Sequence, residues 1–207
     1  SAVEPPMTAE VKDTVYDNIQ LPLVCFAYHI PAQGTEDYYA LNLLTSLLSQ
    51  GQSSRLYKEL VDKQQKAVYA GSSPIALEDP GLFFTYAIAN AGVSADELEK
   101  SMQVELDKVK SELISEREFE KLRNQTESGI VNDNASVAGI AENLSNYYLY
   151  FGNTNLINTE IEKYMKVTRE DIKRVANEYF KDTNRVVLYY MPKSARAGAA
   201  NSSQGGK

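Results

Sequence analysis

Two hydrophobic periods alternate along this chain, and their order restricts the fold more than any other feature. In Pro22–Ile30 the period is two: Val24, Phe26, Tyr28 and Ile30 share one face of an extended segment, and Leu23, Cys25, Ala27 and His29 share the other. Asp13–Ile19 reads as a strand before it. Pro31 and Gly34 interrupt, and from Thr35 the period becomes helical. Thr35 caps a helix whose first turn holds Glu36 and Asp37, the favourable end for acids, and Ala40, Leu43, Leu44, Leu47 and Leu48 form its apolar stripe up to Gly51. A short helix from Ser53 or Ser54 turns Leu56, Leu60 and Val61 inward. Strands return at Ala67–Ile75 and Gly81–Asn90, separated by a turn at Glu78-Asp79-Pro80.

Beyond Gly92 the pattern is helical again. Ser94 with Glu97, and Ser115 with Glu118, have capping-box spacing ahead of apolar runs. A third helix runs through Val137, Ile140, Leu144, Tyr147 and Tyr148 to Gly152, and Thr168 opens another through Ile172, Val175, Ala176, Tyr179 and Phe180. Arg185–Met191 is a last strand, stopped by Pro192. Strands segregated from a run of helices predict an α+β, two-layer αβ sandwich: one mixed, mostly antiparallel sheet with helices on one face. Residues 1–12, with Glu4-Pro5-Pro6, read as a linker, 13–192 as the folded domain, and 193–207, rich in Ala, Gly and Ser, as a disordered tail.

Composition removes several classes of function. With 28 acidic against 21 basic side chains, the net charge of −7 lacks the electrostatic footprint of a nucleic-acid binder. No apolar run approaches the ~18 residues that a membrane-spanning helix needs. The one cysteine, Cys25, can form no internal disulfide, and the one histidine, His29, cannot build a zinc hydrolase site that takes two or three imidazoles. His29 reads as a structural or surface residue and Cys25 as a small buried hydrophobe. The first residue is serine, and the chain reads as a mature or recombinant fragment of something longer.

The segment Asp37-Tyr38-Tyr39-Ala40-Leu41, followed by Leu47-Leu48-Ser49-Gln50-Gly51-Gln52-Ser53-Ser54-Arg55-Leu56-Tyr57-Lys58-Glu59-Leu60-Val61, is distinctive. So are Glu78-Asp79-Pro80-Gly81-Leu82-Phe83, the phrase Val167-Thr168-Arg169-Glu170-Asp171-Ile172, and the strand into Tyr190-Met191-Pro192. Together they resemble the C-terminal domain of the pitrilysin/insulinase metallopeptidases, the group that includes the mitochondrial processing peptidases. The resemblance implies a clamshell of related αβ domains in which zinc is held by a His-x-x-Glu-His motif on an upstream domain. His29-Ile30-Pro31-Ala32 does not carry that motif. It also implies, in catalytically equipped C-terminal domains, an Arg and a Tyr that reach the scissile carbonyl. Alignment on Arg55-Leu56-Tyr57 places those positions at Val61 and Val68, both apolar. Tyr69 is displaced by one residue and is expected on the opposite strand face from Val68 unless a bulge intervenes. Arg55 matches a structural arginine and is expected to pair with a nearby acid.

The expected site is therefore empty of catalytic and metal-ligating residues, and no substrate-binding residue can be named. The resemblance implies a non-catalytic C-terminal domain of a zinc-dependent metalloendopeptidase subunit, helping to close a peptide-binding chamber and to dock a partner. Zinc would lie in the upstream domain of the same parent. Partners would be that domain, a second, unlike subunit of the family, and extended peptide substrate. A catalytically silent structural core subunit of an assembly is the competing expectation; a free-standing peptide-binding module is a third. Ala67–Ile75 is a candidate for strand addition by peptide. Bacterial periplasm and cytoplasm are equally compatible with these residues. The cluster Glu116, Arg117, Glu118, Glu120, Lys121 reads as a solvated helix face, and Asn124-Gln125-Thr126 falls inside a helix. The adjacent tyrosines at 38–39, 147–148 and 189–190 are expected to place one ring inside and one outside.

Overall fold

A computed structural model describes residues 7–76 and 78–196. Five strands form one mixed sheet: β1 (Val11–Asp17), β2 (Leu23–Ile30), β3 (Ala67–Ile75), β4 (Gly81–Ala89) and β5 (Arg185–Pro192), in the spatial order β1-β5-β2-β4-β3. Only β1 and β5 run parallel; the other three pairings are antiparallel. The helices are α1 (Glu36–Ser49), α2 (Ala95–Ser111), α3 (Glu116–Asp133), α4 (Val137–Phe151), α5 (Leu156–Lys166) and α6 (Arg169–Tyr179). The two-layer α+β expectation holds.

The alternation in β2 is what builds the core. Val24, Phe26, Tyr28 and Ile30 are at most 2% exposed and face α1, α2 and α6 with Phe83 and Ala87 of β4 and Val187 of β5. Tyr28 and Phe83 each sit 4.9 Å from Phe180, at the end of α6, ring centroid to centroid. Leu43, Leu44 and Leu48 of α1, Leu98, Met102 and Leu106 of α2, and Ile172 and Val175 of α6 close the other side. Each such side chain stabilises the fold by about 1.5–3 kcal/mol through burial alone. Asp37 joins α1 to α6 by accepting from Arg174 (2.7 Å) and from the Tyr179 hydroxyl (2.7 Å).

Caps fall where the side-chain pattern places them. Thr35, Ser94, Ser115, Ser136 and Thr168 each accept the amide hydrogen of the residue three positions on. At Ser115 the reciprocal half of the expected box is replaced by another bond. Glu118 turns its carboxylate to Arg55, which donates through Nε (3.2 Å) and Nη2 (3.0 Å). Glu116 likewise reaches Arg169 at 3.5 Å. The acidic start of α3 thus bridges elements instead of forming only a solvated face. Helix α5 has no counterpart in the sequence expectation. Asn155 ahead of it makes no side-chain cap bond.

The expected linker reaches into the fold. β1 begins at Val11 and ends at Asp17, two residues earlier than expected at both ends, and Glu10 and Lys12 are tied to distant elements. Arg185 donates to Glu10 and Gln103, with its Nε 2.7 Å from Glu10 and its Nη2 3.0 Å from Asp182, while the guanidinium lies over Phe26. Lys12 donates to Glu99 (2.8 Å), which also accepts from Tyr189 (2.6 Å). At the other end, residues 193–196 form a helical turn where the tail is expected; positions 1–6 of the expected linker and 197–207 of the expected tail lie outside the described residues.

Candidate functional site

The site to test is where the aligned Arg and Tyr positions fall. Val61 lies in a short, widely wound helical segment, Tyr57–Lys63, that docks Leu60 in the core and ends with the Gln64 amide bonded to the carbonyl of Glu59, five residues back (2.9 Å). Wide turns of this kind are uncommon and carry one residue more than an α-turn. Val68 lies in the strand that follows. The register of β3 against β4 jumps there: Ala67 pairs with Ala89, but Tyr69 pairs with Ile88, leaving Val68 as the extra residue of a β-bulge.

That bulge corrects the expected orientation of Tyr69. Two successive side chains now leave the core together, and Val68 and Tyr69 are both 47% exposed. Tyr69 stacks over Tyr86 of β4, with centroids 5.8 Å apart at an interplanar angle of 28°. Hydroxyl-to-hydroxyl interaction with Tyr69, followed by burial, holds the Tyr86 phenol above its ordinary pKa. A phenol therefore does reach the outer sheet face next to the aligned position. No arginine comes with it: Arg55, the only arginine in the segment between α1 and β3, is bound to Glu118.

His29 sits at the end of β2 on the outer face, opposite Leu82, and its carbonyl accepts from Asn184 at 2.9 Å. Cys25 is on the same face and half-buried; desolvation pushes its thiol up to about 11. Among the described residues no group of three His, Cys, Asp or Glu side chains is placed to hold a metal ion, and no helix is long and apolar enough to cross a membrane.

The outer sheet face has a character that was readable but easily overlooked. Leu82, Phe84, Tyr86 and Ile88 of β4 point away from the helices and are half-buried, beside Leu23, Cys25 and Ala27 of β2 and Val186 and Leu188 of β5. In Gly81–Ala89 both strand parities are apolar, which is the pattern of a strand covered on both faces. β3 forms the edge of the sheet on this side, and β1 the other edge. The expected tyrosine partition is clearest at 147–148, where Tyr147 is buried and Tyr148 exposed.

The sequence profile of the peptidase M16 inactive domain matches residues 3–126, more than half of the chain. The chain belongs to that family. Zinc protease PqqE of Helicobacter pylori is 32% identical over 176 residues, which is 85% of this chain and 39% of the relative. The crystal structure of a protease from Helicobacter pylori superposes with a TM-score of 0.85 at 29% identity, covering 91% of this chain and 45% of that one. A peptidase M16 inactive domain from Pseudomonas fluorescens shares the fold at a TM-score of 0.79 and 17% identity, over 93% of this chain and 45% of that one. The chain thus spans less than half the length of each of these relatives.

Proposed function

We propose that this domain is the non-catalytic C-terminal half of a zinc-dependent metalloendopeptidase subunit, and that it contributes shape: one wall of a peptide-binding chamber and the surface on which the zinc-bearing half docks. The observation that carries this reading is the outer face of the sheet. Leu82, Phe84, Tyr86 and Ile88 form an apolar row that the helix layer does not cover, on a strand whose pattern is suited to burial on both sides. The relatives have more than half of their length left to supply the missing cover. Extended peptide would lie along this wall, with the β3 edge offering unpaired backbone groups. In this reading no residue of the chain is catalytic or ligates metal, and zinc sits in the upstream half of the parent.

The test is complementation. The upstream half, expressed separately, should bind zinc and show little peptidase activity until this domain is added. A Phe84→Asp/Ile88→Asp double variant with an unchanged circular dichroism spectrum should fail to restore it. Tight one-to-one zinc binding by this domain alone would overturn the proposal. A parent whose upstream half lacks His-x-x-Glu-His would instead favour the silent assembly subunit.

A further inference from the structure

A largely aromatic concavity lies in the helix layer. A cleft of about 240 Å³ opens between the loop before α1, the end of α4 and the middle of α5. Tyr38 and Tyr39 form one wall, Tyr147 and Phe151 the other, and Glu160 lines it from α5. The shape is set by backbone as well as side chains. Gly34 has φ +87°, and a Cβ there would come within 2.9 Å of the Phe151 ring, so the ring lies directly against the loop. Tyr39 is held from behind by Tyr164, edge to face at 4.9 Å, and Tyr164 is held by Asn42 at 3.1 Å.

Glu160 is the unusual member. It is half-buried among these rings, yet no hydrogen-bond donor or cation of the described residues reaches its carboxylate within bonding distance, although most partly buried acids here are paired. The nearest cation, Lys163, is one turn along the same helix, but its ammonium lies 5.4 Å from the centroid of the Tyr39 ring and makes no ion pair with Glu160. Burial raises the Glu160 pKa, Lys163 lowers it, and Asp133 adds a further push upward. Aromatic faces turned toward an unmatched carboxylate attract a cation with a flat or apolar body, because the ring quadrupole and the acid act on it together. The volume is below the range of drug-sized ligand pockets and fits a single side chain. A guanidinium suits it better than an ammonium: it is planar, stacks on rings, sheds water more readily and can bond a carboxylate with two donors.

We propose that this cleft is a receptor for an arginine side chain presented by an extended peptide, with Glu160 as the anionic partner, Tyr39 and Phe151 as stacking surfaces, and Lys163 as a resident competitor for the Tyr39 face. The choice of an arginine side chain rests on the cleft alone; its presentation on an extended peptide rests on the metallopeptidase reading.

Titration of the whole chain with N-acetyl-arginine amide, against N-acetyl-citrulline amide of the same shape without the charge, tests it by calorimetry or saturation-transfer NMR. Arginine amide should bind saturably, and citrulline amide about tenfold more weakly, one ion-pair-plus-π increment. Glu160→Gln should cut that preference to the share left to the rings, about two- to threefold, while leaving the circular dichroism spectrum unchanged. Lys163→Met, which removes the competitor from the Tyr39 ring and keeps an unbranched apolar stem, should tighten arginine binding by about threefold. Equal binding of the two amides, absence of saturable arginine binding, a preference undiminished in Glu160→Gln, or weaker binding in Lys163→Met would each overturn the proposal.

Discussion

Replacing Arg185 with methionine should cost more stability than any other single change to a charged side chain in this domain. The side chain is 7% exposed at the start of β5, on the helix-facing side, and its guanidinium is shared among Glu10, Gln103, Asp182 and the Tyr28 hydroxyl, above the Phe26 ring at 4.7 Å. Burial lowers the arginine pKa in isolation, but these partners return it above its ordinary value. Methionine conserves much of the packing and removes every donor. Truncating one member of a fully buried ion pair costs about 3–5 kcal/mol. Glu10 keeps 21% exposure and has Lys12 3.3 Å away, and Asp182 is 72% exposed, so both acids can rehydrate. The expected loss is therefore about 2–3 kcal/mol, carried mainly by Glu10 and Gln103. Urea unfolding followed by far-UV circular dichroism should show a lower midpoint with an unchanged slope. Glu10→Leu alone should cost about 1 kcal/mol, and the double variant should recover part of the sum, with a coupling of about 1–2 kcal/mol. A loss below about 1 kcal/mol for Arg185→Met, or strictly additive single losses, would refute the idea that this pair anchors β1 to the sheet.

Acid should unfold the domain through its paired and capping carboxylates. Burial pushes Asp37 up, but the bonds from Arg174 and Tyr179 outweigh it, and Asp171, Glu99 and Glu118 are lowered in the same manner, each against a burial push. A lowered folded-state pKa gives stability that is present above the unfolded carboxylate range and is lost as pH falls through the folded value. Melting temperature should thus decline below about pH 4, and Asp37→Asn should flatten that decline and cost about 1–2 kcal/mol at neutral pH; an unchanged acid slope would speak against the assignment. Cys25, with its thiol near 11, should react with an aromatic disulfide reagent about a hundredfold more slowly in the native protein than in urea. Comparable rates in the two states would mean that the outer sheet face is far more open around β2. Thr168→Ala removes the hydroxyl half of the capping box, leaving the backbone amide at 168 bonded to the Asp171 carboxylate, and should lower stability by about 1 kcal/mol in the same urea assay.

How far the sequence reaches differs by element. β2, β4, α1 and α6 follow from apolar period and from caps such as Thr35 and Thr168, because their faces are buried against one large core and no competing interaction redirects them. β1 is different: most of its side chains are exposed, so no alternation marks its limits, and its pairing with β5 is decided by Glu10 and Lys12 reaching partners far along the chain. The bulge at Val68 is invisible in composition because it is a matter of register between two strands, yet it decides which face Tyr69 occupies. Helix α5 lacks a capping side chain, and the cleft around Glu160 assembles residues from three separate segments. That residues 61 and 68 are valines, by contrast, is a matter of residue identity and needs no structure.

The parallel junction between the first and last strands sets an order of events during synthesis. β1 can register its hydrogen bonds only against β5, whose residues leave the ribosome after every helix has been made. Until then its unpaired backbone waits in solvent, and the closing step joins points at the far extremes of the contact map, the slowest kind of closure. Anything attached ahead of β1 would consequently acquire its final bearing last, after the remainder of the domain has already settled.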